Sequence, residues 1–152
     1  MQNVLSPKEA TIEQTFAGLL KCQHTLCYNI AQKLKKFNLT RQQFEVLSIL
    51  KEKYPEKLNI NAVRSEMNET MPDISRIANR LHEKGYINRL KKEFDKRNTE
   101  ICLTEEGFIK MELVQPIIYE EMGSHFNKLS DDELLRLNEI IYKVTENNSE
   151  KD

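Results

Sequence analysis

Asp95-Lys96-Arg97-Asn98-Thr99-Glu100-Ile101-Cys102-Leu103-Thr104-Glu105-Glu106-Gly107 is the stretch whose reading decides how this chain folds. It follows a run of helical periodicity over 73–84 that stops at Gly85. Residues 86–90 and 99–103 read as short strands, and the charged segment 95–98 between them reads as a turn. A helix followed by a basic-tipped hairpin is the layout of a winged helix-turn-helix. One such unit presents a helix to one groove of DNA and a loop to another.

Upstream of the hairpin, Thr70-Met71-Pro72-Asp73 has the pattern of a capping box, with Asp73 also complementing the helix dipole. The helix it opens turns Ile74, Ile77, Ala78 and Leu81 inward and leaves Ser75, Arg76, Asn79 and Arg80 on its other faces. Before it, 60–67 reads as a short helix with Ala62, Val63 and Met67 on its apolar side, and 56–58 reads as loop. Thr40-Arg41-Gln42-Gln43 is a second capping box. It starts a helix that buries Phe44, Leu47 and Leu50 and ends near Tyr54-Pro55, because proline pushes the preceding residue out of the helical region. Ser6-Pro7 starts a long amphipathic helix to about Lys36, with Ile12, Phe16, Leu19, Leu20, Leu26, Cys27, Ile30 and Leu34 at helical spacing.

Downstream, Thr104-Glu105-Glu106-Gly107 launches a fifth helix with Ile109, Leu113, Ile117, Ile118 and Met122 as apolar residues. Pro116 inside it is expected to kink or split it. Ser130-Asp131-Asp132-Glu133 caps a last helix carrying Leu134, Leu137, Ile140, Ile141 and Val144, and 147–152 is expected to fray. The expected fold is mainly α (α+β): one domain over 1–152, about six helices and a two- to three-stranded wing.

Composition narrows the class. The 152 residues are 39% hydrophobic and 31% charged, enough for a real core in a charge-rich globular chain. Four Gly and four Pro favour helices over a β-sandwich. No apolar run approaches the ~20 residues of a membrane span. The start of the chain lacks the basic and apolar regions of a signal peptide, so a cytoplasmic location is expected. Three cysteines, an odd count, do not make a disulfide framework, and their spacing is not that of a metal site.

The net charge of −1 hides a strong asymmetry. Residues 75–98 hold eight basic against three acidic side chains, a local +5, whereas 104–152 hold five against twelve, a local −7. Positive charge on the helix-and-hairpin unit is the electrostatic footprint of a nucleic-acid binder. Arg76 and Arg80 are four apart and share a helix face. Arginine donates two bonds to guanine, Asn79 suits adenine, and Ser75 suits a phosphate near the helix start. Lys96 and Arg97 are the wing's candidate contacts, Arg97 for a narrow minor groove. Asp95 would be repelled by phosphate and is read as a brace within the turn.

Three segments together carry a family resemblance. Asp95-x-Arg97 followed by Leu103-Thr104-x-x-Gly107 resembles the wing signature of the MarR family of bacterial transcription regulators. Asn38-Leu39-Thr40-x-x-Gln43-Phe44-x-Val46-Leu47 resembles that family's second-helix opening. Asp73-Ile74-Ser75-Arg76-x-x-x-Arg80-Leu81-x-x-Lys84-Gly85-Tyr86-Ile87 resembles its recognition helix. The likeness runs from about Thr15 to Val144, and Met71-Pro72 departs from it where the family tends to have small polar residues.

The resemblance implies a homodimer on a pseudo-palindromic operator of double-stranded DNA. The DNA-binding part would span about 38–106, and dimerisation helices about 6–36 and 107–146. The regulator would be a repressor, relieved by a small molecule or another signal. It also implies a pocket for a small aromatic or apolar anion, for which Phe16, Leu20, His24, Phe44 and Tyr54 are candidate linings, each equally suited to plain core packing. The terminal helices independently carry more apolar surface than a small winged core can bury, and dimer symmetry reads two half-sites.

Other readings rest on less. Cys22 and Cys27 suggest oxidant sensing as an alternative, but their placement suits small buried hydrophobes better, and Cys102 is expected buried or half-buried. Convergence of Cys22, His24 and His125 on a metal would need side chains from two helices, so no metal is expected. No nucleophile–base arrangement and no glycine-rich phosphate loop is visible, so neither an enzyme nor a cofactor is expected. A winged-helix module that binds protein instead of an operator is the rival from another class.

Overall fold

A computed structural model describes residues 6–68, 71–92 and 95–146, with backbone alone at 91–92 and 95–98. The elements are α1 (Pro7–Lys35), α2 (Arg41–Glu52), β1 (Leu58–Asn59), α3 (Ile60–Glu66), α4 (Ile74–Glu83), β2 (Ile87–Lys92), β3 (Asp95–Leu103), α5 (Glu105–Ser124) and α6 (Asp131–Glu146). This is the expected mainly helical, six-helix class. The expected fraying of 147–152 lies outside the described residues.

Caps fix most of the helix starts. Gln43 N–H donates to Thr40 Oγ1 at 3.2 Å while Thr40 N–H donates to Gln43 Oε1 at 3.1 Å. Ser6 with Glu9 and Ser130 with Glu133 repeat this reciprocal pattern, which satisfies amide donors that have no partner inside the helix. For α4 the start differs from expectation. Asp73 is the cap, its carboxylate accepting from Arg76 N–H at 3.1 Å, and Thr70 lies outside the described residues. The reason is local, since a helix capped at Thr70 would need helical dihedrals at Met71, which Pro72 disfavours.

The sheet is antiparallel with order β1-β3-β2. Ile87 pairs with Leu103 and Arg89 with Ile101, while Leu58 faces Ile101 from the other side. Leu58 was expected in a loop, and no strand was expected ahead of α3. Two residues are too short to show alternation, and they become a strand only because β3 offers an open edge. The hairpin also runs further than expected: β3 begins at Asp95, so 95–98 is strand and the connection falls at 93–94, beyond the described residues. The register shifts between Lys91, paired with Thr99, and Lys92, paired with Asp95, which sets Lys96, Arg97 and Asn98 in an irregularity of the ladder.

One core joins α2, α4 and the sheet to α1 and α5. Ile30 and Leu34 of α1 meet Phe44, Val46, Leu47 and Leu50 of α2; Ile74, Ile77, Ala78 and Leu81 of α4, Ile101 of β3 and Met111, Val114 and Ile118 of α5 complete it. Three expectations about facing change. Ala62 is exposed, and Ile60 and Val63 are the buried residues of α3. In α5 the buried face is Gly107, Met111, Val114 and Ile118, whereas Ile109, Leu113 and Met122 face outward. α5 runs unbroken through Pro116, whose missing amide costs one helical bond without splitting the helix. In α1 only Ile30 and Leu34 are buried; Ile12, Phe16, Leu19 and Leu20 are exposed. No residue of α6 is buried.

Candidate nucleic-acid interface

Helix α4 is held by its apolar stripe. Burying Ile74, Ile77, Ala78 and Leu81 turns Ser75, Arg76, Asn79 and Arg80 out, and all four are exposed. Arg80 Nη1 lies 3.3 Å from Glu83 Oε2 one turn on; both side chains are over 60% exposed, so the pair is weak and easily exchanged.

Arg76 and Arg80 do more than share a face. With Thr40, Gln42, Asp73 and Lys84 they border a cleft of about 500 Å³ between the start of α2 and α4. Lys84 Nζ donates to the Asn38 carbonyl and to Gln43 Oε1, tying the end of α4 to the turn before α2. Burial, with Lys110 and Arg80 nearby, holds its ammonium below the ordinary lysine range. Sequence reasoning left Lys84 off the site, although its place four residues after Arg80 continues the stripe. Three cations against one carboxylate give the cleft a positive potential suited to an anion.

Behind α4 the chain turns at Gly85, whose φ of +76° is the left-handed value glycine takes without strain. Thr104 then binds the wing to the fifth helix. Its hydroxyl donates to the Gly85 carbonyl at 2.7 Å and accepts from Gly107 N–H at 3.0 Å, and its own N–H reaches the Tyr86 carbonyl at 3.0 Å. Gly107 sits so close to that carbonyl that a Cβ would lie 2.1 Å from it. Lys96, Arg97 and Asp95 lie on the backbone of β3, and their side chains fall outside what the structure describes.

The five residues considered for an anion pocket are not gathered in the protomer. Phe44 belongs to the core, while Phe16, Leu20 and His24 stand exposed on α1. Tyr54 stacks on Phe108 with ring centroids 4.8 Å apart. Nearby, Lys51 bridges α2 to α5, 2.7 Å from Gln115 Oε1 and 2.5 Å from Glu112 Oε1, with its ammonium over the Phe108 ring. Cys22 is exposed rather than buried as expected, while Cys27 and Cys102 are half-buried. Cys22 and His125 border one cleft, which His24 does not join. Among the described residues no three metal-ligating side chains cluster, and no helix is long and apolar enough to cross a membrane.

The sequence model of the MarR family matches residues 39–99, the span from the second helix to the wing. The HTH-type transcriptional regulator MgrA of Staphylococcus aureus is 32% identical over 112 residues, 72% of each chain. SarZ of Staphylococcus haemolyticus, another HTH-type transcriptional regulator, is 30% identical over 115 residues, 76% of each. Among solved structures, the S. aureus MepR–DNA complex superposes with a TM-score of 0.77 at 24% identity, covering 87% of this chain and 97% of that one. With the helix-turn-helix, the wing and the Thr104–Gly107 joint in place, the chain belongs to the MarR family of transcription regulators.

Proposed function

We propose that the chain acts as a homodimeric repressor on a pseudo-palindromic DNA operator. The observation that carries this reading is the outward face of α4, where Ser75, Arg76, Asn79 and Arg80 are exposed beside a cation-lined cleft. A helix so exposed fits the major groove, about 12 Å wide, and arginine and asparagine are the side chains that read guanine and adenine there. MepR, similar in fold, has been solved bound to DNA. The homodimer is supported by α6, an amphipathic helix with nothing buried in the protomer and with Leu134, Ile140, Ile141 and Val144 exposed. The reading includes relief of binding by a small aromatic or apolar anion. Its support is NadR, a neighbour in fold that has been solved in complex with 4-hydroxyphenylacetate.

Selection from a random duplex library, followed by a salt titration of the recovered site, tests the proposal. One recurrent palindromic motif is expected, with affinity falling steeply as salt rises. Arg97→Ala is expected to weaken that site by about 1–3 kcal/mol while the dimer persists in sedimentation. Unchanged affinity would remove the wing from the interface, and no retention on duplex DNA at low salt would favour a protein-binding module instead.

A further inference from the structure

Exposed large apolar side chains fall into two groups. Most lie on α1, α5 and α6, where the proposed second protomer covers them. In the winged unit the described ones are Tyr54, Met71 and Leu90. Tyr54 is stacked on Phe108, and Leu90, at 38%, is barely exposed on a wing strand. Met71 stands apart at 89%, the largest exposure of any of these side chains, in the turn directly ahead of α4.

Its neighbours hold it there. Pro72 is buried and restricts Met71 to extended dihedrals, and the Ile74 N–H donates to the Pro72 carbonyl at 2.9 Å. Asp73 is the cap, so Pro72 and Ile77, both buried, occupy the two positions of a hydrophobic staple. With Pro72 turned in, Met71 is turned out to solvent, two residues ahead of the Asp73 cap of α4. A recognition helix offers its N-terminal end to base edges. The apolar group on the major-groove floor is the thymine 5-methyl, and a flexible, polarisable thioether conforms well to it.

We propose that Met71 is a specificity-determining residue that packs on the 5-methyl group of a thymine in each half-site. This rests on the operator-binding reading above. The test uses the site recovered by the wild-type chain, with each thymine replaced singly by deoxyuridine, which removes the methyl and keeps the hydrogen-bonding edge. For the wild type, one replacement per half-site is expected to lower affinity about three- to fivefold, the effect of one methyl losing apolar contact. The same replacement is expected to leave Met71→Ala binding unchanged, and Met71→Leu to restore the sensitivity. Equal losses in wild type and Met71→Ala, or a flat deoxyuridine series, would overturn this role while leaving operator binding intact. A wild-type chain that recovers no site overturns the operator reading and this inference with it.

Discussion

Gly107→Ala is expected to destabilise the fold by about 3–5 kcal/mol, at the upper end of what overpacking does. The added Cβ would lie 2.1 Å from the Tyr86 carbonyl oxygen, 3.0 Å from its carbon and 2.9 Å from Leu103 Cδ1. Two of those three atoms are backbone, so no rotamer change relieves the contact. The same carbonyl accepts the Thr104 N–H, and Gly107 N–H donates to the Thr104 hydroxyl, so shifting α5 breaks its cap as well. Urea unfolding followed by circular dichroism reads the loss. A variant as stable as the wild type would mean that α5 does not approach the wing this closely.

Ile141→Asp is expected to raise the dimer dissociation constant by two to three orders of magnitude while leaving the protomer folded. Ile141 is 45% exposed in the protomer, and α6 buries none of its residues there, so the carboxylate meets water in the isolated chain. In a dimer that covers this face it is buried without a partner, at a cost of several kcal/mol. Roughly 3–4 kcal/mol of that appearing in dissociation gives the stated shift. Sedimentation velocity across a concentration series measures it. Operator affinity should fall with it, since two half-sites joined in one particle bind far better than two separate ones. A variant that stays dimeric at low concentration would move the interface away from α6.

Legibility in the sequence followed the range of the interaction. Ser6, Thr40 and Ser130 cap as their patterns predict, because a capping box is settled within four residues. At Thr70–Asp73 two local rules competed, and the restriction before Pro72 prevailed over the capping pattern. The outward face of α4 was likewise readable from helical period alone. Periodicity was less informative in α1 and α5, which are apolar on more than one side. It flags Ile109 and Leu113 as readily as Met111 and Val114, and only packing against α1 and α2 separates them.

The sequence by itself determined the order of the six helices and the hairpin, the class of fold and the charge that singles out 75–98. These depend on propensities, caps and spacing carried along the chain. Tertiary structure alone decided that Leu58-Asn59 is a strand, that Lys84 joins Arg76 and Arg80 at one cleft, and that Gly107 must be glycine. Each depends on residues far apart in the chain: an open edge on β3, the start of α2, and the Tyr86 carbonyl. No local pattern records how near two such segments come, and at 2.1 Å that nearness is what makes the difference between Gly107 and alanine.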